Sequence, residues 1–169
     1  MAKPITGYSA VQIALHWAVV VLVAFQYLAS AGIEAVWNAF LRRDASYADA
    51  DAPLLANLHI AAGVLILLLA CARIYLRVTR GAPPPPADEP KALKWLSEAV
   101  HGLIYLLLVA LPGSGLLAWS LGIEGAASAH VLMKTVLLAA IVLHIAGALF
   151  QHFIMRSTVL MRMLSAQKD

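Results

Sequence analysis

The chain has 169 residues, of which 62% are hydrophobic and only 12% are charged, and its mean hydropathy is +0.83. Water-soluble domains are roughly 45–50% apolar and about 25% charged, so this composition excludes an ordinary soluble globule and a disordered chain. The single cysteine excludes a disulfide framework and thiolate-based zinc or iron–sulfur sites. The formal net charge of +3 comes without a basic stripe interleaved with aromatic residues, and we expect no nucleic-acid partner.

Four apolar segments are long enough to cross a membrane, which takes about 20 residues of helix. They lie at residues 10–33, 54–78, 96–121 and 129–155. The short alternating pattern of a membrane β-barrel is absent from the sequence. We therefore predict an all-α fold, in which residues 1–169 form a single integral membrane domain, a four-helix bundle in contact with membrane lipid.

The first apolar segment has a second interpretation, because residues 28–31 (LASA) resemble a signal-peptidase site. A signal peptide needs a positively charged leader, and here Lys3 is the one lysine before an apolar stretch that contains His16. We expect the segment to remain as the first span. The polar, mildly acidic residues 34–51 that follow it are expected to form a lid or a short surface helix.

The distribution of Lys and Arg predicts the orientation, since cytoplasmic flanks carry an excess of both residues. One side carries nine of the twelve, namely Lys3, Arg73, Arg77, Arg80, Lys91, Lys94, Arg156, Arg162 and Lys168. The other side carries Arg42, Arg43 and Lys134. We expect both termini in the cytoplasm, with Pro83–Pro86 as a stiff, extended cytoplasmic connector.

Six histidines are unusual in so apolar a chain, because polar side chains inside a membrane are costly and are usually functional. By depth they divide into an outer set, His59 and His130, and an inner set, His16, His101, His144 and His152. His130 and His144 are fourteen residues apart in one span, which corresponds to a rise of about 21 Å and a rotation about 40° short of whole turns. Both imidazoles therefore face the same side of that helix, near opposite surfaces.

Imidazoles on different helices at equal depth are suited to the two axial positions of a haem iron. His59 is the one histidine at the depth of His130, whereas His144 can pair with His16 or with His101. Such histidines can also form hydrogen bonds within the bundle, or bind zinc or copper in a tight cluster. Two pairs about 21 Å apart are more typical of two haems.

Two cations accompany the histidines. Arg73 repeats the fourteen-residue interval after His59, where it can bind a haem propionate or extend towards the inner surface. Lys134 lies one turn from His130 inside the apolar region and needs an anionic partner, for which a propionate is suited.

Small and aromatic residues have less specific interpretations. Gly63 and Gly147 lie about one turn from proposed ligands, where a flat ring or a neighbouring helix can approach the backbone. Pro112–Gly115 interrupts the third span, through a kink that makes room for a cofactor or through helix packing. Trp37 and Trp119 are expected in the interfacial belt.

These residues, in this order, resemble the bacterial cytochrome b561 proteins, which are related to the cytochrome b subunits of nickel–iron hydrogenases. The similarity extends over nearly the whole chain, at Tyr8–Trp17 (YSAVQIALHW), His59-x-x-x-Gly63 leading to Arg73, His101–Tyr105 (HGLIY) with Leu111-Pro112, and His144 through Leu160–Met163. The resemblance implies two haems b with bis-histidine ligation. Its ligands correspond to His16 and His144 for the inner haem iron and to His59 and His130 for the outer one, which favours His16 over His101.

Members of that family transfer electrons between their haems and ubiquinone, and one of them oxidises superoxide. The resemblance thus implies a multi-pass oxidoreductase of the bacterial inner membrane, most concretely a superoxide:ubiquinone oxidoreductase (superoxide oxidase) with ubiquinone as substrate or bound carrier. An alternative is a cytochrome b subunit that links quinol to a periplasmic or membrane redox protein, and another is a haem-free bundle.

Three features depart from the family pattern. The segment 122–128 is short, and Gln151 precedes His152 where relatives often have a second histidine. Lys134 has no counterpart in the pattern.

Overall fold

The computed structural model describes residues 7–86 and 88–166, and within these ranges the protein is helical without strands. The helices are α1 (Ala10–Leu28), α2 (Ser30–Arg42), α3 (Ala52–Arg80), α4 (Lys91–Leu121) and α5 (Glu124–Phe153), with short 3₁₀ turns at Ala45–Tyr47 and Met161–Met163.

Four of these helices, α1, α3, α4 and α5, are long and apolar enough to cross a membrane, which confirms the four predicted spans. The first span ends earlier than predicted, because Ala29 leaves the helical conformation (φ −100°, ψ 9°) and α2 begins at the next residue. The short helix expected after the first span is therefore present as α2. The other predicted span boundaries differ from the helix ends in the structure because the helices continue beyond the apolar region. For example, α4 begins at Lys91, directly after Pro90.

The start of α1 is fixed by a capping box. The backbone N–H of Gln12 donates to the Ser9 hydroxyl, and the Gln12 side chain accepts from the backbone N–H of Ser9. The same side chain donates to the carbonyl oxygen of Gly81 at 3.2 Å. This bond joins the beginning of α1 to the end of α3, so the two helices run antiparallel.

The backbones approach closely between α1 and α3, α3 and α4, and α4 and α5. The seam between α1 and α5 is bridged by side chains, as where the Tyr27 hydroxyl donates to the carbonyl oxygen of Lys134 at 2.6 Å. A bundle with one open seam can admit a flat group between its helices.

An apolar layer fills the middle of the bundle with side chains from all four spanning helices. Its buried members are Val19, Val23, Ile66, Ala70, Leu107, Leu108, Leu111 and Leu137. On α5 the layer lies between His130 and His144, and on α3 it lies between His59 and Arg73. Most other large apolar side chains point outwards, which fits helices whose outer faces contact lipid.

The bundle has two ends that differ in their histidines, a His59 end with His59 and His130 and a His144 end with His16, His101 and His144. The His59 end carries α2, which packs so closely on α3 that a Cβ on Gly32 would overlap the Leu55 side chain. The His144 end carries the proline-rich connector and the C-terminal tail, which meet where Arg162 donates to the carbonyl oxygen of Pro84 at 2.7 Å.

Candidate functional site

At the His59 end, one histidine from α3 faces one from α5. The ring centroids of His59 and His130 are 6.3 Å apart, with an angle of 57° between the ring planes. Nδ1 of His130 lies 3.0 Å from the carbonyl oxygen of Leu111 and 3.2 Å from the Ser114 hydroxyl. A carbonyl can only accept, so Nδ1 of His130 carries the proton and Nε2 is left as the electron-pair donor.

Open space adjoins this pair on two sides. A cavity of about 150 Å³ extends from the two rings towards α2, and another of about 60 Å³ extends towards the apolar layer. Both are lined by Gln26, His59, Gly63, Pro112, His130 and Lys134. Trp37, in the middle of α2, and Trp119, near the end of α4, line the larger cavity.

The segment Pro112–Gly115 forms part of this site and does not break α4, which continues to Leu121. A Cβ on Gly115 would lie 3.2 Å from Cε1 and Nδ1 of His130, tighter than ordinary van der Waals contact. The glycine therefore makes room for the imidazole, which is a more specific role than general helix packing.

Lys134 has a protein partner that the sequence alone did not reveal. Its Nζ lies 3.0 Å from Oε1 of Glu34 on α2, and this is the one ion pair among residues 7–86 and 88–166. Glu34 and Lys134 are a hundred residues apart in sequence, so their pairing depends on how α2 folds over the His59 end.

At the His144 end, the rings of His16 and His144 repeat the geometry of the other pair. Their centroids are 6.4 Å apart, with an angle of 59° between the planes. His101 also contacts His144, at 4.9 Å and 85°, while its own Nδ1 lies 2.6 Å from the carbonyl oxygen of Ser97 within α4. The sequence left His16 and His101 as alternative partners of His144, and both rings lie beside it. Among the described residues, nothing lies within 4 Å of where a Cβ on Gly147 would be, so helix packing does not account for that glycine.

Arg73 lies within electrostatic reach of all three of these rings. Its Nη2 is 3.4 Å from the Tyr105 hydroxyl, whereas its Nε and Nη1 are buried without a hydrogen-bond partner among the described residues. Tyr8 lies outside the spans, and burial raises the pKa of its hydroxyl against the opposing effect of Arg77. A buried guanidinium with unpartnered N–H groups is suited to an anionic ligand.

The remaining histidine is separate from these contacts. His152 packs on Phe153 with a centroid distance of 4.9 Å, and its Nδ1 has no partner among the described residues. The preceding Gln151 is buried, donates to Glu89 and accepts from the Ser157 hydroxyl, a polar cluster that sequence reasoning missed. Within the part of the chain that the structure describes, no three His, Cys, Asp or Glu side chains converge on one metal position.

Comparison with known proteins identifies the family. A family model described as prokaryotic cytochrome b561 matches residues 7–166. The chain belongs to the prokaryotic cytochrome b561 family. The resemblance drawn from the sequence motifs is thereby confirmed, and the chain is a multi-pass membrane cytochrome of electron transport that binds haem b.

Three curated relatives of this b561 protein cover almost its full length. "Cytochrome b562" of Cereibacter sphaeroides is 32% identical over 94% of this chain and 95% of its own. "Probable superoxide oxidase CybB" of Yersinia pestis is 29% identical over 95% of this chain and 97% of its own. "Cytochrome b561 homolog 1" of Escherichia coli (strain K12) is 27% identical over 95% and 98%.

The residues at both ends fit haem b. Imidazoles are common axial ligands of haem iron, and each end offers two that face one another. At the His59 end, the hydrogen bond from His130 to Leu111 is the anchoring that metal-binding histidines usually have. At the His144 end, the unpartnered N–H groups of Arg73 are suited to a propionate.

Proposed function

We propose that this b561 protein is a di-haem b cytochrome that exchanges electrons with the ubiquinone pool. In this proposal, His59 and His130 bind one iron, and His16 and His144 bind the other. The observation that carries it is the repeated ring geometry, with centroids 6.3 and 6.4 Å apart and tilts of 57° and 59°.

The separation of the rings supports a metal ion between them. Two metal–nitrogen bonds of about 2.0–2.1 Å each span about 4 Å. The rest of each centroid-to-centroid distance corresponds to the distances from the two ring centroids to their ligating nitrogens. The 4.9 Å between His101 and His144 is too short for this arrangement, and the two rings meet edge to face. This favours His16 over His101 as the partner of His144.

The chain supplies ligation, insulation and charge, while haem b supplies reversible one-electron transfer. The apolar layer keeps water and ions out of the region between the two sites. Fourteen residues of α5 set the two levels about 21 Å apart along the helix. Arg73 at one end and Lys134 at the other are the candidates to hold haem propionates.

The positive-inside rule supports an orientation in the bacterial inner membrane with both termini in the cytoplasm. The His59 end then faces outwards, beneath α2, and the His144 end lies near the cytoplasmic surface. The proline-rich connector and the C-terminal tail cover the cytoplasmic end in this orientation.

The most concrete form of the proposal is a superoxide:ubiquinone oxidoreductase. One relative carries the name of a probable superoxide oxidase, and Lys134 lines a cavity beside the proposed outer haem site. Arg42 and Arg43 at the end of α2 supply positive charge that can attract a small anion, against the four acidic residues of the same segment, Glu34, Asp44, Asp49 and Asp51. Two superoxide ions each lose one electron to become dioxygen, and one ubiquinone takes up both electrons and two protons to become ubiquinol.

Rapid mixing of the oxidised holoprotein with superoxide and a short-chain ubiquinone tests this function. We expect reduction of haem within the mixing experiment and formation of quinol above the uncatalysed rate. A His130→Ala variant, which loses one proposed outer ligand, is the matched control and should form quinol at the uncatalysed rate.

Superoxide that leaves the haem spectrum and the quinol yield unchanged would exclude the superoxide reaction. Reduction of the haems by quinol, with onward transfer to a co-purifying redox protein, would instead establish an electron-transfer subunit.

A further inference from the structure

Two buried atoms at the His59 end have no hydrogen-bond partner among the described residues, namely Nδ1 of His59 and Oε1 of Gln26. They belong to side chains that the protein already joins, because Nε2 of Gln26 donates to the carbonyl oxygen of His59 at 2.9 Å. Both residues line both cavities beside the histidine pair. A potential donor and a potential acceptor thus lie in the same site, and each lacks a partner.

The backbone of α3 is shaped to receive the Gln26 amide. A Cβ on Gly63 would lie 3.2 Å from Nε2 of Gln26, so a larger residue at position 63 would crowd the amide. An amide in an apolar helix is costly unless its hydrogen bonds are satisfied. The Nε2 group is satisfied by His59, and the oxygen of the same amide is not.

The direction of the amide follows from its bond to a carbonyl, which can only accept. Nε2 therefore faces the backbone of His59, and Oε1 is an acceptor with both lone pairs available. A histidine that binds a metal through Nε2 carries its proton on Nδ1 and almost always donates that proton to a carboxylate, a carbonyl or water. His130 already donates to the Leu111 carbonyl, while His59 has no such acceptor among the residues that the structure describes.

Resting on the proposed binding of iron by His59, we propose that Gln26 is the positioning residue of that ligand. Oε1 of Gln26 accepts the Nδ1–H of His59, through one bridging water or after a small rotation of the side chain. This bond fixes the tautomer that leaves Nε2 free, and it makes the imidazole a stronger electron donor. The two ligands at the His59 end are then held differently, His130 by a main-chain carbonyl and His59 by a side-chain amide.

Substitutions of Gln26 in the full-length holoprotein test this role through the redox potential and the low-temperature EPR signal of each haem. Gln26→Met removes the hydrogen-bond acceptor, so the His59 imidazole donates less electron density to the iron. The oxidised iron is then less stabilised, and the midpoint potential of the His59-end haem should rise. Gln26→Glu offers a stronger acceptor, so that potential falls and the EPR g values shift in the opposite sense. The haem at the His144 end serves as an internal control and keeps its potential.

Haem affinity gives a second measurement. Loss of an outer-shell partner typically weakens metal binding about 10- to 100-fold, so Gln26→Met should release the His59-end haem faster to a haem scavenger by about that factor. Tyr27→Phe is the matched control, because it removes a hydrogen bond between α1 and α5 from the adjacent residue. This control should leave both EPR signals in place.

Shifts of the same sign in Gln26→Met and Gln26→Glu, or no shift in either, would overturn the positioning role while leaving the proposed ligation intact. If Gln26→Met does not fold, the comparison of Gln26→Glu with the wild type decides between these outcomes. A His59→Ala variant that retains both haems would overturn the proposed ligation and this inference together.

Discussion

The two ends of the bundle present the same pair of opposed imidazoles in different surroundings. At the His59 end the pair is accompanied by a neutralised charge, Lys134 with Glu34, and is covered by α2. At the His144 end a third histidine is present, and the guanidinium of Arg73 has buried N–H groups that find no partner within residues 7–86 and 88–166. The geometry between the rings is common to both ends, and the electrostatic surroundings are not.

This difference shows which property each set of residues controls. The proposed binding of one iron by each pair requires similar ring separations, and the two centroid distances, 6.3 and 6.4 Å, differ by a tenth of an ångström. The charges around a haem set how strongly the reduced form is favoured. Because positive charge favours the reduced form, we expect the His144-end haem to have the higher midpoint potential, which would direct electrons from the His59 end towards the His144 end.

If each histidine pair binds one iron as proposed, the largest expected effect of a substitution is the loss of one of the two haems. His59→Ala and His130→Ala should each remove the same haem, and His16→Ala and His144→Ala should each remove the other, because an iron with a single protein ligand is held weakly. Haem per polypeptide and the reduced-minus-oxidised spectrum measure this.

The matched controls for the histidine series are His101→Ala and His152→Ala, which should retain both haems. A haem lost in His101→Ala and kept in His16→Ala would contradict the pairing at the His144 end. An intact protein without a b-type α band would contradict haem binding altogether.

Gly115→Val is expected to weaken haem binding at the His59 end alone, a smaller effect than the loss of a haem. The added side chain would crowd His130, where even a Cβ would lie 3.2 Å from the ring. Overpacking typically costs about 1–3 kcal/mol, which corresponds to a haem affinity about 10- to 100-fold lower. Haem retention against a scavenger measures it.

Gly113→Val is the control for this substitution, since nothing lies within 4 Å of where its Cβ would be. Equal haem loss in both valine variants would indicate a general effect on α4 instead of a local effect on His130.

The smallest effect is expected from changes of single charges. Glu34→Gln leaves Lys134 unpaired and should raise the potential of the His59-end haem, whereas Arg73→Gln removes a positive charge and should lower that of the His144-end haem. Each substitution should reduce the difference between the midpoint potentials of the two haems. The reduction is on the order of 60 mV if the altered charge interacts with its haem by about 1.4 kcal/mol in a one-electron couple. Potentiometric titration followed at the α band measures both.

The same pair of variants tests whether the effect is electrostatic. The side chains of Glu34 and Lys134 are 55% and 30% exposed, so breaking their ion pair should change the free energy of unfolding by no more than about 1 kcal/mol. A gap that widens in either variant would contradict the expected order of the two potentials.

The sequence by itself determined that the protein lies in lipid, that its fold is helical, and which family it resembles. Apolar composition and segment length predict four membrane helices, because a helix must satisfy its own backbone hydrogen bonds in lipid. Helical periodicity relates His130 to His144, because both lie on one regular helix. The family resemblance followed from short motifs in a fixed order, and the family match over residues 7–166 confirmed it.

Contacts between residues far apart in the chain were decided only by the tertiary structure. The break at Ala29 that turns α2 across the His59 end brings Glu34 to Lys134, and no local pattern encodes that turn. The anchoring of His130 by Leu111 and the joining of Gln26 to His59 depend on the helix register across the bundle. Periodicity gives each helix its face, but the neighbour opposite that face is chosen by packing of the whole bundle.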